Sequence, residues 1–178
     1  VVFGMGLLNG AKMSSSKGNV FLLEDAVNEF GADTVRMFLM GSAEPWQDFD
    51  WRNELVLSTR KQIERFFYAI HEMKDTGGEP RDIDLWLMSR LQYHIARTTD
   101  ALDKFQTRQA LQESYFGIES DLKWYRRRVG KEAVGSGELH TLCSVWTRLL
   151  APFIPFTAEH LWKELGGEGL ASFAPWPV

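Results

Sequence analysis

The sequence has almost none of the features that cross-link a chain or hold it in a membrane. Only one of its 178 residues, Cys143, is a cysteine, which excludes a disulfide scaffold and a multi-cysteine zinc site and suits a reducing compartment. No apolar run approaches the roughly 18 residues that a membrane-spanning helix needs. The start also lacks the basic segment of a secretory signal. We therefore expect a cytoplasmic protein with no membrane partner.

An initiator methionine is missing too, and the chain opens inside an apolar segment. We therefore expect a fragment of a longer protein, with room for one ordinary domain or for one domain and a remnant of another. Apolar residues make up 44% and charged residues 25% of the sequence. These proportions are normal for a globular chain and argue against disorder of the whole.

The charge is distributed unevenly along the chain. The formal net charge is -4, from 20 Lys and Arg against 24 Asp and Glu. The first 50 residues hold 3 of the basic and 7 of the acidic residues, so they carry the entire -4, and the remainder balances at 17 against 17. Within that neutral remainder, residues 122–131 contain five cations and no acid. Because of this cluster, the negative net charge of the whole chain does not exclude a polyanionic partner.

Local patterns predict a small α/β part followed by long helices. Asn9-Gly10 is a strong turn signal after a short apolar strand, and Asp50 is a candidate N-cap for the first long helix. Apolar residues then recur at helical spacing, with Gly at the breaks. The predicted helices are Leu23–Phe30, Ala32–Met40, Arg52–Asp75, Ile83–Lys104, one from Thr107, one containing Leu139–Leu150, and Thr157–Leu165. Four long helices with short breaks indicate an up-and-down bundle.

The segment with the most chemical character is Lys12 to Asn19, which holds two Lys, three Ser and a Gly. Consecutive backbone amides in such a loop can form an anion nest, and Lys adds point charge for phosphate oxygens. Ser, Lys and Gly are also ordinary in surface loops, so composition alone leaves a plain surface loop as the alternative.

Several motifs resemble class I aminoacyl-tRNA synthetases. Residues 12–16 are similar to the Lys-Met-Ser-Lys-Ser signature loop, and the continuation Gly18-Asn19-Val20 is typical of the same family. The stretch from Ser42 to Trp51 looks like the leucyl enzymes of the archaeal and eukaryotic type. Further similar stretches follow in the family's order: residues 30–36, 105–111, 121–125, 150–153 and 159–162. The resemblance covers nearly the whole chain.

The resemblance implies a mainly α fold: a helical bundle of the class Ia anticodon-binding type, residues 52–178, preceded by a small α/β remnant of the catalytic domain, residues 1–51. It also implies an ATP-dependent ligase that joins leucine to tRNA(Leu), using ATP with Mg²⁺. By this resemblance the ATP-binding residues are Lys12, Met13, Ser14, Ser15, Ser16 and Lys17. Lys12 and Lys17 are the expected catalytic cations.

One position departs from the family signature. Ser15 stands where the family usually has its second Lys, and a hydroxyl cannot replace a full positive charge. Lys17, two positions later, is long enough to substitute for it. The His-Ile-Gly-His signature is absent, since His71, His94, His140 and His160 are isolated. We therefore expect the fragment alone to be inactive, with no metal site and no bound cofactor of its own.

The five cations of residues 122–131 are the predicted tRNA-binding residues: Lys123, Arg126, Arg127, Arg128 and Lys131. They offer phosphate neutralisation near a helix end, and Trp124 and Tyr125 offer rings for an unpaired base. Against this, three consecutive Arg cannot all face one ligand, and cations at a helix C-terminus also complement its dipole.

Two alternatives to the leucyl assignment stay open from the sequence. One is the corresponding piece of a valyl, isoleucyl or methionyl synthetase, against which the Glu44 to Trp51 stretch argues. The other is a free-standing helical module that binds RNA or protein. A pure bundle would not need a phosphate-type loop, so the enzyme fragment is preferred. We expect a monomer.

Overall fold

The computed structural model describes residues 4–73, 81–129 and 137–178. The three short strands are β1 (Gly6–Leu8), β2 (Ala11–Lys12) and β3 (Phe49–Trp51). The helices are α1 (Leu23–Phe30), α2 (Ala32–Ser42), α3 (Asn53–Met73), α4 (Asp82–Asp103), α5 (Thr107–Leu111), α6 (Ile118–Val129), α7 (Gly137–Leu150) and α8 (Pro155–Glu164). The predicted class, mainly α with a small α/β part, is confirmed. The predicted glycine breaks at residues 77–78 and 130–136 lie outside the described residues.

The strands form one sheet with the order β2-β1-β3. The β1–β2 hairpin turns at Asn9 and Gly10, whose φ angles of 52° and 80° are both in the left-handed region that Asn-Gly favours. β3 pairs parallel to β1, with Gly6 opposite Phe49 and Leu8 opposite Trp51. The prediction that Asp50 caps a helix was wrong, because Asp50 lies in β3 and α3 begins at Asn53.

A small hydrophobic core lies between the sheet and the first helices. It contains Ala26, Phe30, Val35, Phe38, Trp51 and Val56. The Trp51 ring lies 5.3 Å from Phe38 and 6.0 Å from Phe30, centroid to centroid. Trp46, by contrast, is 50% exposed and is not a member of this core. Trp51 is therefore the tryptophan that packs β3 against α1 and α2.

The second and larger core lies inside the bundle of α3, α4, α6 and α7. On α3, Ile63, Phe66 and Ile70 are buried at helical spacing, and Phe67 packs against the core. Phe105, just beyond the end of α4, is 76% exposed and has a φ of 57°. Cys143 of α7 is fully buried in this core.

The α2 helix belongs to both cores. Val35 and Phe38 face the small core, whereas Met37 contributes to the bundle core. Gly41 was predicted to end this helix, but the helix continues to Ser42. A Cβ at Gly41 would come within 2.5 Å of a methyl carbon of Leu111. The glycine therefore serves a close approach between α2 and α5.

The helix after Thr107 contains an irregular turn. Residues Gln112–Gly117 form a π-helical segment that joins α5 to α6 without a break in the chain direction. A Cβ at Gly117 would meet the His94 ring at 2.4 Å. The wider π-helical turn and the absence of a side chain at Gly117 together make room for the His94 ring. Single π-helical turns inside α-helices often occur where such a local constraint acts. Among the described residues, no helix is long and apolar enough to cross a membrane.

Candidate functional site

The Lys12–Lys17 segment forms the tip of a second tight hairpin. Ser14 pairs with Asn19 as an antiparallel bridge, and Ser15–Lys17 make one turn of 3₁₀ helix between them. Gly18 closes the turn with a φ of 66°, which a residue with a side chain rarely adopts. The Asn19 side-chain amide donates to the carbonyl of Lys12 at 3.2 Å. The loop is therefore closed by its own hydrogen bonds.

The cations and most hydroxyls of this loop point to solvent. Lys12, Ser15, Ser16 and Lys17 are all exposed. Ser14 Oγ lies 3.0 Å from Ser16 Oγ, so these two hydroxyls already share a hydrogen bond. The structure thus places the two predicted catalytic cations on one exposed loop.

Met13 differs from its neighbours in the loop. Its side chain is partly buried against the small core, and its backbone amide donates to the carbonyl of Gly6 at 3.1 Å. Met13 thereby anchors the loop to the sheet.

Two aspartates beside the sheet hold the hairpin in place. Asp48 Oδ1 accepts from the amide of Met5 at 2.7 Å, and Asp50 Oδ1 accepts from the amide of Gly10 at 2.8 Å. The hydrogen bond from Gly10, together with the Arg52 guanidinium 2.7 Å away, lowers the pKa of Asp50 below its usual range. Both aspartates come from the Glu44 to Trp51 stretch, which the sequence marked only by its resemblance to a family.

The predicted cation cluster on α6 divides into groups with different surroundings. Arg126 pairs with Glu72 of α3 at 2.9 Å, and Lys123 pairs with Glu119 at 3.0 Å. Arg65 of α3, which the sequence reasoning missed, joins Lys123 and Arg126 around one groove of about 250 Å³. Carboxylates therefore already neutralise part of this groove.

Arg127 and Arg128 lie elsewhere on α6. Both are exposed, and within the described ranges neither has a carboxylate at ion-pair distance. Arg128 Cζ sits 3.5 Å from the centroid of the Trp124 ring. Lys131, the fifth predicted cation, lies outside the described residues. The structure thus places four of the five predicted cations on one helix but not on one face of it.

Tyr125 cannot offer its ring to a base, contrary to our expectation. It is buried, and its hydroxyl donates to Asp84 Oδ1. Arg81 joins the pair, because its guanidinium lies 3.1 Å from Asp84 Oδ1 and donates to the Tyr125 hydroxyl at 3.0 Å. Burial raises the pKa of Tyr125 to about 12, and the hydrogen bond to Asp84 acts in the same direction. This network fixes α4 against α6.

The buried His94 is the centre of an ionic cluster that the sequence did not reveal. Its Nδ1 lies 3.0 Å from Glu113 Oε2, and its Nε2 lies 3.0 Å from Asp121 Oδ2. Arg90 pairs with the same Asp121 at 2.7 Å. Both ring nitrogens therefore face carboxylates, and the ring is held between the π-helical segment and α6. In the part of the chain that is described, no His, Cys, Asp and Glu cluster is arranged to hold a metal ion.

Three side chains of the α/β part bind helix ends of the bundle. The Asp33 carboxylate accepts from the amides of Phe156 and Thr157 at the start of α8, at 3.2 and 2.7 Å. The Glu44 carboxylate does the same for Arg108 and Gln109 at the start of α5, at 3.2 and 3.0 Å. This helix starts at Thr107, as the sequence predicted, and its start is capped by Glu44 from the other part of the protein.

Arg36 makes the third contact at this joint, donating to the carbonyl of Pro152 beyond the C-terminus of α7 at 2.9 Å. Anions thus meet two helix N-termini and a cation meets a helix C-terminus, as the helix dipole favours. These contacts connect residues 64 to 124 positions apart. They fix the loop-bearing part relative to the bundle.

Comparison with known families agrees with this architecture. Residues 84–178 match the family model described as the anticodon-binding domain of tRNA ligase. Residues 1–63 match the model described as tRNA synthetases class I (M). The chain therefore belongs to the tRNA ligase family that carries this anticodon-binding domain.

Within that family the similar curated proteins are leucine–tRNA ligases. The chain is 48% identical to the leucine–tRNA ligase of Methanothermobacter thermautotrophicus over 99% of its own length and 20% of that protein's. It is 48% identical to the Pyrococcus horikoshii enzyme, over 99% of the chain and 19% of that protein. The chain thus spans about a fifth of the length of the curated relatives it matches. The predicted resemblance to leucyl enzymes is confirmed, and the valyl, isoleucyl and methionyl alternatives and the free-standing module are not favoured.

A solved structure shows the same fold. The LeuRS in a crystal structure titled as the ternary complex of Agrobacterium radiobacter K84 agnB2 LeuRS-tRNA-LeuAMS superposes with a TM-score of 0.79. The two chains are 25% identical, and the match covers 98% of this chain and 23% of the other. The fold of this chain therefore recurs within a larger LeuRS chain.

Proposed function

We propose that this chain is the part of a leucine–tRNA ligase that contributes the ATP-phosphate loop and a tRNA-binding bundle. The whole protein joins leucine to tRNA(Leu) at the expense of ATP. The observation that carries this proposal is the exposed, self-closed Lys12–Lys17 hairpin, held at a fixed position on a bundle of the tRNA ligase type. A free RNA-binding bundle has no use for such a loop.

The chemistry of the first step explains what the loop does. The leucine carboxylate attacks the α-phosphorus of ATP, leucyl-adenylate forms, and pyrophosphate leaves with its Mg²⁺. Negative charge grows on the departing phosphates, so cations held ready beside them lower the barrier. Lys12 and Lys17 supply that charge, and the hydroxyls of Ser14, Ser15 and Ser16 donate hydrogen bonds to phosphate oxygens.

Met13 completes the proposed ATP-binding set of residues 12–17 by holding the loop against the sheet. Its partly buried side chain and its amide, bonded to Gly6, fix where the loop leaves the sheet. A loop anchored at its base and exposed at its tip is able to close over bound phosphates.

Lys17 takes the place of the cation that Ser15 does not provide. Lys17 ends the 3₁₀ turn at the same exposed loop tip as Ser15. Its side chain is long enough to reach the same phosphates from a position two residues further along the chain. The Lys17→Ala variant of the full-length enzyme is expected to form leucyl-adenylate about a hundredfold more slowly, the size of effect seen when one oxyanion-hole donor is removed. Single-turnover adenylate formation measures this rate.

The exposed Lys163 on α8 supplies a matched control. A Lys163→Ala variant loses the same charge outside the loop and keeps the normal rate of adenylate formation. An unchanged rate in Lys17→Ala would show that Lys17 does not replace the missing signature cation.

The bundle is the proposed tRNA-binding part, with the division between the two parts at residues 51 and 52. Lys123, Arg126, Arg127, Arg128 and Lys131 are the proposed contacts to the tRNA backbone. Each phosphate contact adds about one unit to the slope of log affinity against log salt. An Arg126/Arg127/Arg128→Ala variant is therefore expected to bind tRNA(Leu) more weakly and with a shallower slope. Parental affinity and slope would place the cluster outside the interface.

The remaining expectations concern the protein as a whole. We propose that it acts in the cytoplasm as a monomer, with ATP–Mg²⁺, leucine and tRNA(Leu) as its substrates. Residues 1–178 alone lack the His-Ile-Gly-His signature, so the isolated piece is expected to be inactive. Leucine-dependent pyrophosphate exchange above background by the isolated piece would contradict this.

A further inference from the structure

The exposed end of α6 combines a contacting pair of aromatic rings with cations that no carboxylate of the described residues pairs. The Trp86 and Trp124 rings lie 4.1 Å apart, centroid to centroid, at an angle of 35°. Arg128 Cζ lies over the Trp124 ring at 3.5 Å. The Trp124 ring therefore contacts both the Trp86 ring of α4 and the guanidinium of Arg128, whose side chain is exposed.

The neighbouring surface of α6 is continuous with this stack. Arg127 is four residues after Lys123, and Arg128 is four residues after Trp124, so these four residues share one side of the helix. Arg126 falls on a different side, where it pairs with Glu72. The exposed side of α6 thus carries one ring and three cations.

The cations on this side are not equivalent. Glu119 neutralises Lys123 at 3.0 Å, whereas Arg127 and Arg128 have no carboxylate at ion-pair distance within residues 4–73, 81–129 and 137–178. The surface around the stack therefore favours a ligand that is both planar and anionic. A nucleotide has this combination, with a base that stacks and a phosphate that pairs with a cation.

A hydrogen-bond network next to the two Trp rings fixes their positions. Asp84 lies two residues before Trp86, and Tyr125 follows Trp124 directly in the sequence. The Asp84 carboxylate accepts from the buried Tyr125 hydroxyl, and Arg81 bridges both groups. Because this network sets the position of α4 against α6, the two Trp rings meet without a ligand, so binding costs little ordering of side chains.

We propose that Trp86, Trp124 and Arg128 form a platform on which one unpaired base of the bound tRNA stacks, with Arg127 contacting an adjacent phosphate. The platform rests on the proposed function, since it names how the bundle engages tRNA. The base comes from a loop or another single-stranded part, because bases inside a duplex keep their faces covered. It stacks on the exposed Arg128 guanidinium, which lies over the Trp124 ring.

The test uses the full-length enzyme, tRNA(Leu), four variants of the platform and one control variant. Arg128→Lys keeps the charge but loses the flat guanidinium, and Arg128→Ala loses both. Trp124→Ala removes the supporting ring, and Trp124→Phe keeps one. Arg60→Lys on α3, where an exposed Arg pairs with Glu64, is the matched control for the Lys substitution. The measurements are the dissociation constant for tRNA across a salt series, the melting temperature, and leucine-dependent pyrophosphate exchange.

Loss of one stacked base weakens binding by about fivefold to a hundredfold. Arg128→Lys and Trp124→Ala are each expected to show a loss in this range, with Arg128→Lys leaving the salt slope unchanged. Trp124→Phe retains affinity close to the parent, which shows that a ring and not only a folded helix is required. Arg60→Lys binds like the parent.

Two results would overturn the platform. If Arg128→Lys binds like the parent while Arg128→Ala does not, Arg128 acts only through its charge. If Trp124→Ala lowers the melting temperature and leaves tRNA affinity intact, the stack serves only helix packing. Pyrophosphate exchange does not involve tRNA, so it stays normal in all variants. Its absence from the parent enzyme would refute the proposed function and not the platform.

Discussion

At the scale of single residues, His94 shows how one buried polar ring organises its surroundings. The ring is only 3% exposed and lies between Glu113 and Asp121. Arg97 and Arg90 approach the same two carboxylates from the outside. These contacts pack α4 against the π-helical segment and α6, and Gly117 leaves the space that the ring occupies.

Removing His94 would leave two carboxylates facing an empty site. Loss of one member of a buried charged cluster is strongly destabilising. We expect His94→Ala to lower the free energy of unfolding by about 3 kcal/mol, measured by urea denaturation. His160, which is exposed on α8, is the control, and His160→Ala is expected to change stability by less than about 0.5 kcal/mol. Equal effects of the two substitutions would mean that the cluster adds nothing.

Cys143 illustrates the opposite case, a reactive group made inert by its position. Burial raises the pKa of its thiol to about 12. Since the thiolate is the nucleophile, we expect Cys143 to resist a disulfide reagent at pH 8 in the folded protein and to react at once in urea. The difference in thiol count between the parent and Cys143→Ala isolates this residue. Rapid labelling of Cys143 under native conditions would contradict its buried position.

At the scale of elements, the joint between the α/β part and the bundle is held by side chains that act on helix ends. Asp33 and Glu44 each cap a helix that lies far away in the sequence. Together with Arg36 they fix α2 against α5, α7 and α8. Removal of these caps would therefore loosen the loop-bearing part relative to the bundle.

Asp33→Ala and Glu44→Ala are each expected to destabilise the protein by about 1 kcal/mol, the usual cost of a lost cap. Glu29→Ala, which removes an exposed carboxylate from α1, is the control with little effect. Thermal melting of the variants measures the difference. If the two cap variants have the same melting temperature as the control, the joint does not depend on these carboxylates.

The sequence predicted the helices better than the contacts between them. Spacing of 3.6 residues and terminal glycines located α1, α3 and α4 to within a residue or two, because these signals are local. β3 was missed, since its three residues form a strand only by pairing with β1 more than 40 positions away. The role of Glu44 as a cap was equally hidden, because nothing near Thr107 indicates it.

The candidate site shows the same difference between local signals and long-range contacts. Lys12 and Lys17 could be placed on one exposed loop from the motif alone. The separation of Arg126, bound to Glu72, from Arg128, stacked on Trp124, depends on α3 and on the side chains beside α6. Burial of Tyr125 depends on Asp84 and Arg81 from another helix. Partners of this kind are set by packing, and periodicity does not specify them.

At the scale of the whole molecule, buried weak acids make the fold sensitive to alkali. Burial raises the pKa of Tyr115, Tyr125 and Cys143 to about 12, from ordinary values of 10.0, 10.0 and 9.0. Above its ordinary pKa each group loses its proton in the unfolded chain but keeps it in the folded one. The unfolded state then binds fewer protons, so stability falls as pH rises.

We therefore expect the urea midpoint to fall between pH 9 and pH 12. Cys143 begins the loss near its ordinary value of 9.0, and the tyrosines add to it from 10.0. In Cys143→Ala the decline should start about one pH unit higher, as the tyrosine values require. A midpoint that stays constant to pH 11 would show that these groups are not buried in their protonated forms.

The central proposal is that the chain is part of a leucine–tRNA ligase, and the most direct test of that proposal is aminoacylation. The full-length protein is incubated with ATP, tRNA(Leu) and each amino acid in turn, and charged tRNA is quantified. Leucine is expected to be attached to tRNA(Leu), and valine, isoleucine and methionine are expected to give far less charged tRNA. Charging with one of these three in preference to leucine, or no charging by an enzyme that binds tRNA, would contradict the account.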